Sequence, residues 1–151
     1  WALLSGLSKI SDSTPFWLGL PYVFWGYVIF AVALVMVLHK AYHSKWVIEK
    51  VFFAAGLLAF AAFLFLTRMH ERYLEQAVPF LLLAGVKHRV VLWIFVAVSI
   101  FHTLNLYHNW WVPKIDFLVS ALSQPIAVSV LSLATLAAFF VLLIQYLRGT
   151  K

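Results

Sequence analysis

Long apolar runs constrain this chain more than any motif does. Phe52 to Leu66 passes without one charged or hydrogen-bonding side chain. In water such surface has to be covered by protein. A chain of 151 residues that is 65% hydrophobic and 11% charged cannot hide that much in a single core, so lipid must cover part of it. Inside hydrocarbon the backbone has to pair its own N–H and C=O groups, which makes each long run a helix. The expected fold is all-α, a polytopic transmembrane helix bundle with about five membrane segments: roughly Phe16–Leu38, Trp46–Leu66, Tyr73–Val86, Val90–Leu106 and Ile126–Leu147.

The third segment is shorter than the roughly 17 residues a helical crossing ordinarily needs. It is either a short span with snorkelling ends or a re-entrant half-helix, and Pro79 within it favours a kink. The turn Ser11-Asp12-Ser13-Thr14-Pro15 is suited to capping the first helix. Gly56 with Ala54, Ala55, Ala59, Ala61 and Ala62 gives the second helix a small-residue face for close packing.

Charge placement orients the bundle. If all five segments cross, the 11 Lys and Arg divide into two sets. Lys40, Lys45, Lys50, Lys87, Arg89, Arg148 and Lys151 fall on one side, Lys9, Arg68, Arg72 and Lys114 on the other. The richer side, with the C-terminus, is expected in the cytoplasm. The net charge of +6 thus reads as membrane orientation rather than a nucleic-acid footprint, because the basic residues end apolar runs instead of lining one face. Trp17, Trp25, Trp46, Trp110 and Trp111 lie near the expected helix ends, as an interfacial aromatic belt would. With no cysteine there is neither a disulfide framework nor a thiolate metal site.

The chemically pointed segment is Thr67-Arg68-Met69-His70-Glu71-Arg72-Tyr73, immediately after the Phe52–Leu66 run. Each charge at a hydrocarbon edge must be solvated or paired. The set suits a lipid-linked phosphate. Arg68 and Arg72 offer planar donor forks, His70 adds a donor that titrates near neutrality, and Glu71 can orient the arginines or hold His70 in one tautomer. The N-terminus of a helical third segment would add its dipole. Glu75, three residues after Arg72, also permits a plain surface ion pair. An interfacial cluster that only anchors the helix explains the same residues.

Thr67-Arg68-Met69-His70-Glu71-Arg72-Tyr73-Leu74, followed by Ala77, Pro79, Phe80 and Leu81-Leu82-Leu83-Ala84, resembles a motif of bacterial GT-C glycosyltransferases, polytopic enzymes that take a sugar from a polyprenyl-phosphate carrier. Trp1-Ala2-Leu3-Leu4, Asp12 to Phe16, Leu18-Gly19-Leu20 and Trp25-Gly26 resemble the segment before that motif, and Leu104-Asn105-Leu106-Tyr107 the segment after it. The resemblance implies an inverting membrane transferase in which His70, Glu71 and Arg72, with Arg68 beside them, face the carrier phosphate. The family's catalytic acid lies in an early extracytoplasmic loop with no counterpart here. Residues 1–151 are therefore expected to be the C-terminal transmembrane part of a larger protein, with no catalytic base among them and no metal or other cofactor assigned. The pair Glu75-Gln76 departs from the more apolar pair usual in the family.

Several other residues carry two readings each. Asn105, Tyr107, His108, Asn109, Trp110 and Trp111 make a polar-aromatic outer loop that could stack on a sugar or anchor at the interface; Asn105, Tyr107 and Trp110 are the candidates on the substrate side. Asp116 could be a substrate-side acid, or a simple partner of Lys114. His102 could ligate a haem or chlorophyll metal, or hydrogen-bond to a neighbouring helix. His39 and His43 have i, i+4 metal spacing but sit at a lysine-rich helix end. The leading expectation is a glycosyltransferase acting on a lipid-linked sugar within the bacterial plasma membrane. Its alternative is a non-catalytic accessory subunit packed against neighbouring membrane subunits, with lipid or pigment between helices.

Overall fold

The computed structural model describes residues 10–67, 71–109 and 112–149. The helices run in the order α1 (Tyr22–His43), α2 (Ile48–Phe65), α3 (Ala77–Gly85), α4 (Arg89–Asn109), α5 (Asp116–Leu122) and α6 (Pro125–Arg148), with a 3-10 helix (Glu71–Gln76) leading into α3. Among the described residues the only strand-like pairing is the bridge Pro15–Pro21. Four helices, α1, α2, α4 and α6, are long and apolar enough to cross a bilayer. The chain is an integral membrane helix bundle, as its apolar runs require.

The first crossing begins at Tyr22, later than the apolar run suggests. Leu18 and Gly19 both adopt positive φ (55° and 73°) and close a tight hairpin in front of the helix. The Ser11–Pro15 turn does cap α1, but through backbone carbonyls. Val23 N–H donates to Asp12 O at 3.0 Å and Tyr22 N–H to Thr14 O at 3.2 Å. These bonds satisfy donors that a helix start otherwise leaves orphaned. At the far end Lys45 and Trp46 both take left-handed φ (54° and 52°), reversing the chain into α2 within a few residues.

α2 is the central post. A third of its membrane window is buried (33%), against 17% for α1 and α4 and 22% for α6. Phe53, Leu57, Phe60 and Ala61 recur at helical spacing and meet neighbours on several sides. Phe60 and Phe65 each stand edge-on to Phe139 of α6, at 5.6 and 5.4 Å between ring centroids, and Phe53 is edge-on to Tyr146 at 5.2 Å. The Tyr146 hydroxyl donates to Val37 O of α1 at 3.4 Å, joining the first and last crossings. α1 buries only the narrow small-residue stripe of Gly26, Ala33, Val37 and Ala41, and turns Val32, Val35 and Met36 outward.

The short third segment traverses the same layer as α2. Lys87, just past α3, pairs with Glu49 in the first turn of α2, whereas the 3-10 helix starts near the other end of α2. Fifteen residues cover this depth because six of them are wound as 3-10. At about 2.0 Å rise for those and 1.5 Å for the rest, the element reaches about 25 Å, against about 27 Å for α2. Pro79 accounts for the mixture. Its ring cannot donate to, and collides with, the carbonyl four residues back, so an α-helix cannot run through Glu75. With α3 starting at Ala77, Pro79 sits in the first turn, where its missing N–H costs nothing.

Crossings therefore alternate, and the bundle has two rims. One carries Lys40, Lys45, Lys50, Lys87, Arg89 and Arg148; the other carries Asp12, Thr67, Arg72, Glu75 and the loop before α5. α5, absent from the sequence expectation, lies at the second rim with Phe117 exposed and Leu122 buried. Seven residues are too few for a readable helical period.

Glycine sets the tightest contacts. A Cβ on Gly56 would stand 3.0 Å from Leu81 Cδ2 and 3.2 Å from Phe80 Cβ, and one on Gly85 would stand 3.1 Å from the Leu92 backbone. Leu81 can yield at its tip, but backbone cannot. Gly56→Ala is expected to be mild, whereas Gly56→Leu and Gly85→Ala should each destabilise by about 1–3 kcal/mol, visible as a fall in the melting temperature of the detergent-purified protein. Unchanged melting of Gly56→Leu would contradict the close approach of α2 and α3.

Candidate functional site

The second rim gathers polar groups that are far apart in sequence. Thr67 ends the descent from α2, and its hydroxyl donates to Asp12 Oδ2 at 3.3 Å. The Ser13 hydroxyl donates to the other carboxylate oxygen at 3.5 Å, while the Asp12 carbonyl caps α1. One half-buried aspartate thus couples the N-terminal hairpin, the start of the first crossing and the junction that leads into the charged segment. From sequence, Asp12 reads as a turn residue within the stretch that resembles the family segment before the motif. The turn itself was the available signal, but its long-range partner was not legible.

Arg68 and His70, two of the expected phosphate ligands, lie outside the described residues, as does the side chain of Glu71. Arg72 is exposed on the 3-10 helix. Three residues make one 3-10 turn, so Arg72 and Glu75 fall in line on one face of it.

Below Glu75 lies His102 of α4, only 6% exposed. Neither ring nitrogen has a hydrogen-bond partner among the described residues. Glu75 Oε1 stands 3.9 Å from Nε2, within ion-pair distance but beyond hydrogen-bond reach. The interhelical bond expected for this histidine is thus offered but not closed. Both nitrogens are enclosed by protein. Leaving a buried polar group unpaired costs about 1–3 kcal/mol, so this ring is a place where structure and stability disagree.

The expected substrate-side loop serves partly as its own scaffold. The Tyr107 hydroxyl donates to Pro113 O at 2.8 Å and accepts from Ile115 N–H at 2.7 Å. Both capacities of that hydroxyl hold the loop closed. Asn105 is half-buried, and Trp110 lies outside the described residues. Asp116 pairs with Lys114 at 2.8 Å, the simpler of its two readings. His39 and His43 meet edge-on, 4.4 Å between ring centroids, on an exposed helix end, and no group of three metal-ligating side chains occurs among the described residues.

On the lipid-facing side of α4, Phe95, Val96, Ser99, Ile100, Thr103 and Leu104 line a shallow groove of about 350 Å³. Its two hydroxyls are turned inward: Ser99 donates to Phe95 O and Thr103 to Ser99 O, each at 2.8 Å. The groove therefore presents an apolar wall. It ends beside His102, at the level of the polar rim.

Comparison with family models, characterised proteins and solved structures returns no match to this chain.

The Asp12–Thr67 bond generates a test. Thr67→Val and Asp12→Ala should loosen the junction by about 1 kcal/mol, seen as roughly fivefold faster hydrogen exchange over residues 71–76. Asp12→Asn keeps an acceptor and should change little. Equal protection in all three variants would show that the bond does not hold the junction.

Proposed function

We propose that this bundle is the donor-lipid half of an inverting GT-C-type glycosyltransferase, acting on a sugar carried by polyprenyl phosphate, with the catalytic acid supplied by a loop outside residues 1–151. The observation that carries the reading is Arg72, exposed on a 3-10 helix at the edge of the apolar layer, in the segment whose residues resemble the family motif. Arg68, His70 and Glu71 belong to the same proposed phosphate site by sequence. The apolar groove on α4 suits an isoprenoid chain, because it ends beside the polar rim and shows no hydroxyl to the lipid. The lysine-rich rim and the C-terminus then face the cytoplasm, and the polar rim faces the far side of a bacterial plasma membrane.

The chemistry follows from charge. As the acceptor oxygen attacks the anomeric carbon, the bond from that carbon to the phosphate oxygen breaks, and the electron pair leaves with the carrier phosphate. Guanidinium groups already in place stabilise that growing charge without reorganising. The acceptor proton passes to a carboxylate acting as general base, which this reading places outside residues 1–151. In a low-dielectric rim such donors are worth more than in bulk water.

The full-length protein in native membranes, given a radiolabelled polyprenyl-phosphate hexose, should transfer label to an acceptor and release polyprenyl phosphate. Arg72→Ala should lower turnover on the order of a hundredfold, the scale for loss of one oxyanion donor. Failure of the wild-type protein to consume any polyprenyl-phosphate sugar, or full turnover by Arg72→Ala, would end this reading.

A further inference from the structure

The lysine-rich rim is out of electrical balance. It carries Lys40, Lys45, Lys50, Lys87, Arg89 and Arg148, whereas four of the five acidic residues, Asp12, Glu71, Glu75 and Asp116, belong to the other rim. The fifth, Glu49, is engaged by Lys87. Among the described residues no carboxylate pairs with Lys40, Lys45 or Lys50.

Helix packing brings two of these lysines together. Val37, Phe53 and Tyr146 mark where the ends of α1, α2 and α6 meet: the Tyr146 hydroxyl reaches Val37 O at 3.4 Å, and its ring is edge-on to Phe53 at 5.2 Å. Lys40 follows Val37 by three residues on α1, and Lys50 precedes Phe53 by three on α2. Each therefore stacks one turn rimward of that contact. Both are half-buried. On α6 the turn above Tyr146 ends in Gly149, where an added Cβ would meet no atom of the described residues within 4 Å. The three-helix contact is thus overhung by two lysines beside open space. Lys40, in the last turn of α1, is answered in part by that helix's own carbonyls. Lys50 is not. It stands in the first turn of α2, at the positive end of the helix dipole, where a second positive charge is unfavourable.

We propose that the notch above Tyr146, between Lys40 and Lys50, binds the phosphodiester headgroup of an anionic glycerophospholipid. The site lies at the opposite rim from Arg72 and does not depend on the transferase reading. A phosphate placed there supplies the negative charge that no carboxylate of the described chain provides. Partial burial strengthens the pairing over that of a fully solvated ion pair. A lipid suits the notch better than a soluble anion because its floor continues as hydrocarbon-facing surface: Leu38 of α1 and Ile144 of α6, just below, are both exposed. Trp46 is exposed in the adjoining turn, at the level where amphipathic rings meet lipid headgroups. Lipid bound at this point ties the ends of three helices and stabilises the folded bundle by mass action.

The test uses the full-length protein, delipidated in a neutral detergent, with three probes: dioleoyl phosphatidylglycerol, dioleoyl phosphatidylcholine and inorganic phosphate. Binding is read by native mass spectrometry and as the rise in melting temperature over each variant's own lipid-free value. Wild type should prefer phosphatidylglycerol to phosphatidylcholine by roughly 25-fold, about fivefold for each of two cations beside an anionic headgroup. Lys40→Gln and Lys50→Gln should each cut that preference about fivefold, and the two together should abolish it. Lys40→Arg should retain it. Arg89→Gln, a change on the same rim but at the start of α4, should leave it intact. Equal binding of the two lipids by wild type overturns the proposal. So does an equal loss in Arg89→Gln, which would mark diffuse attraction to a basic rim. Stabilisation by inorganic phosphate matching that by phosphatidylglycerol would assign the notch to a soluble anion instead.

Discussion

Hydrocarbon offers a peptide N–H or C=O nothing to bond with, and the structure depends on how this chain meets that condition with one segment too short to cross as a plain α-helix. Pro79 forbids the α form behind Ala77, and the six residues before it are drawn out into a 3-10 helix. Their longer rise lets Glu71–Gly85 match the depth of α2. The alternation of all later crossings depends on that match. Had the segment turned back within the layer, α4 would begin at the wrong rim, and Lys87 could not pair with Glu49.

The same proline shapes the polar rim. A 3-10 helix stacks residues three apart, so Arg72 lies directly over Glu75. An α-helix would rotate them about 60° out of line. A helix chosen to span depth thereby also aligns a cation and a carboxylate, directly above a buried histidine on α4. Asp12 reaches the same rim from the other end of the described chain and fastens Thr67, next to the charged segment. The rim is thus held by covalent neighbours on one side and by a long-range hydrogen bond on the other. Among the described residues the buried nitrogens left without a hydrogen bond are those of His102, with the Glu75 carboxylate 3.9 Å away.

Much of the architecture was legible because hydropathy is a local property. Ile48–Phe65, Arg89–Asn109 and Pro125–Arg148 lie within a few residues of the apolar runs that announce them. The first helix was placed too early because apolar content alone does not distinguish a membrane helix from an apolar hairpin. Leu18 and Gly19 turn the chain within a stretch as hydrophobic as the helix itself. α5 was missed for the opposite reason, having too few residues to show a period. In the site, the cluster Arg68 to Arg72 stands out as charge beside hydrocarbon, and Lys114 with Asp116 reads as a near-neighbour pair. Tyr107 gave no sign that its hydroxyl would be engaged by Pro113 and Ile115.

By itself, then, the amino-acid sequence determined that this protein lives in a membrane, that its secondary structure is helical, and roughly where each crossing lies, because transfer of side chains from water to lipid depends on composition over a short window. Only the tertiary structure decided that the short third segment crosses rather than turns back, that α2 is the central post, that Asp12 meets Thr67, and that His102 stands within ion-pair distance of Glu75. Those outcomes rest on which helix faces meet and at what depth. Apolar runs of similar character do not encode that, because lipid would cover any of their faces equally well until small residues such as Gly56 and Gly85 let one neighbour come closer than another.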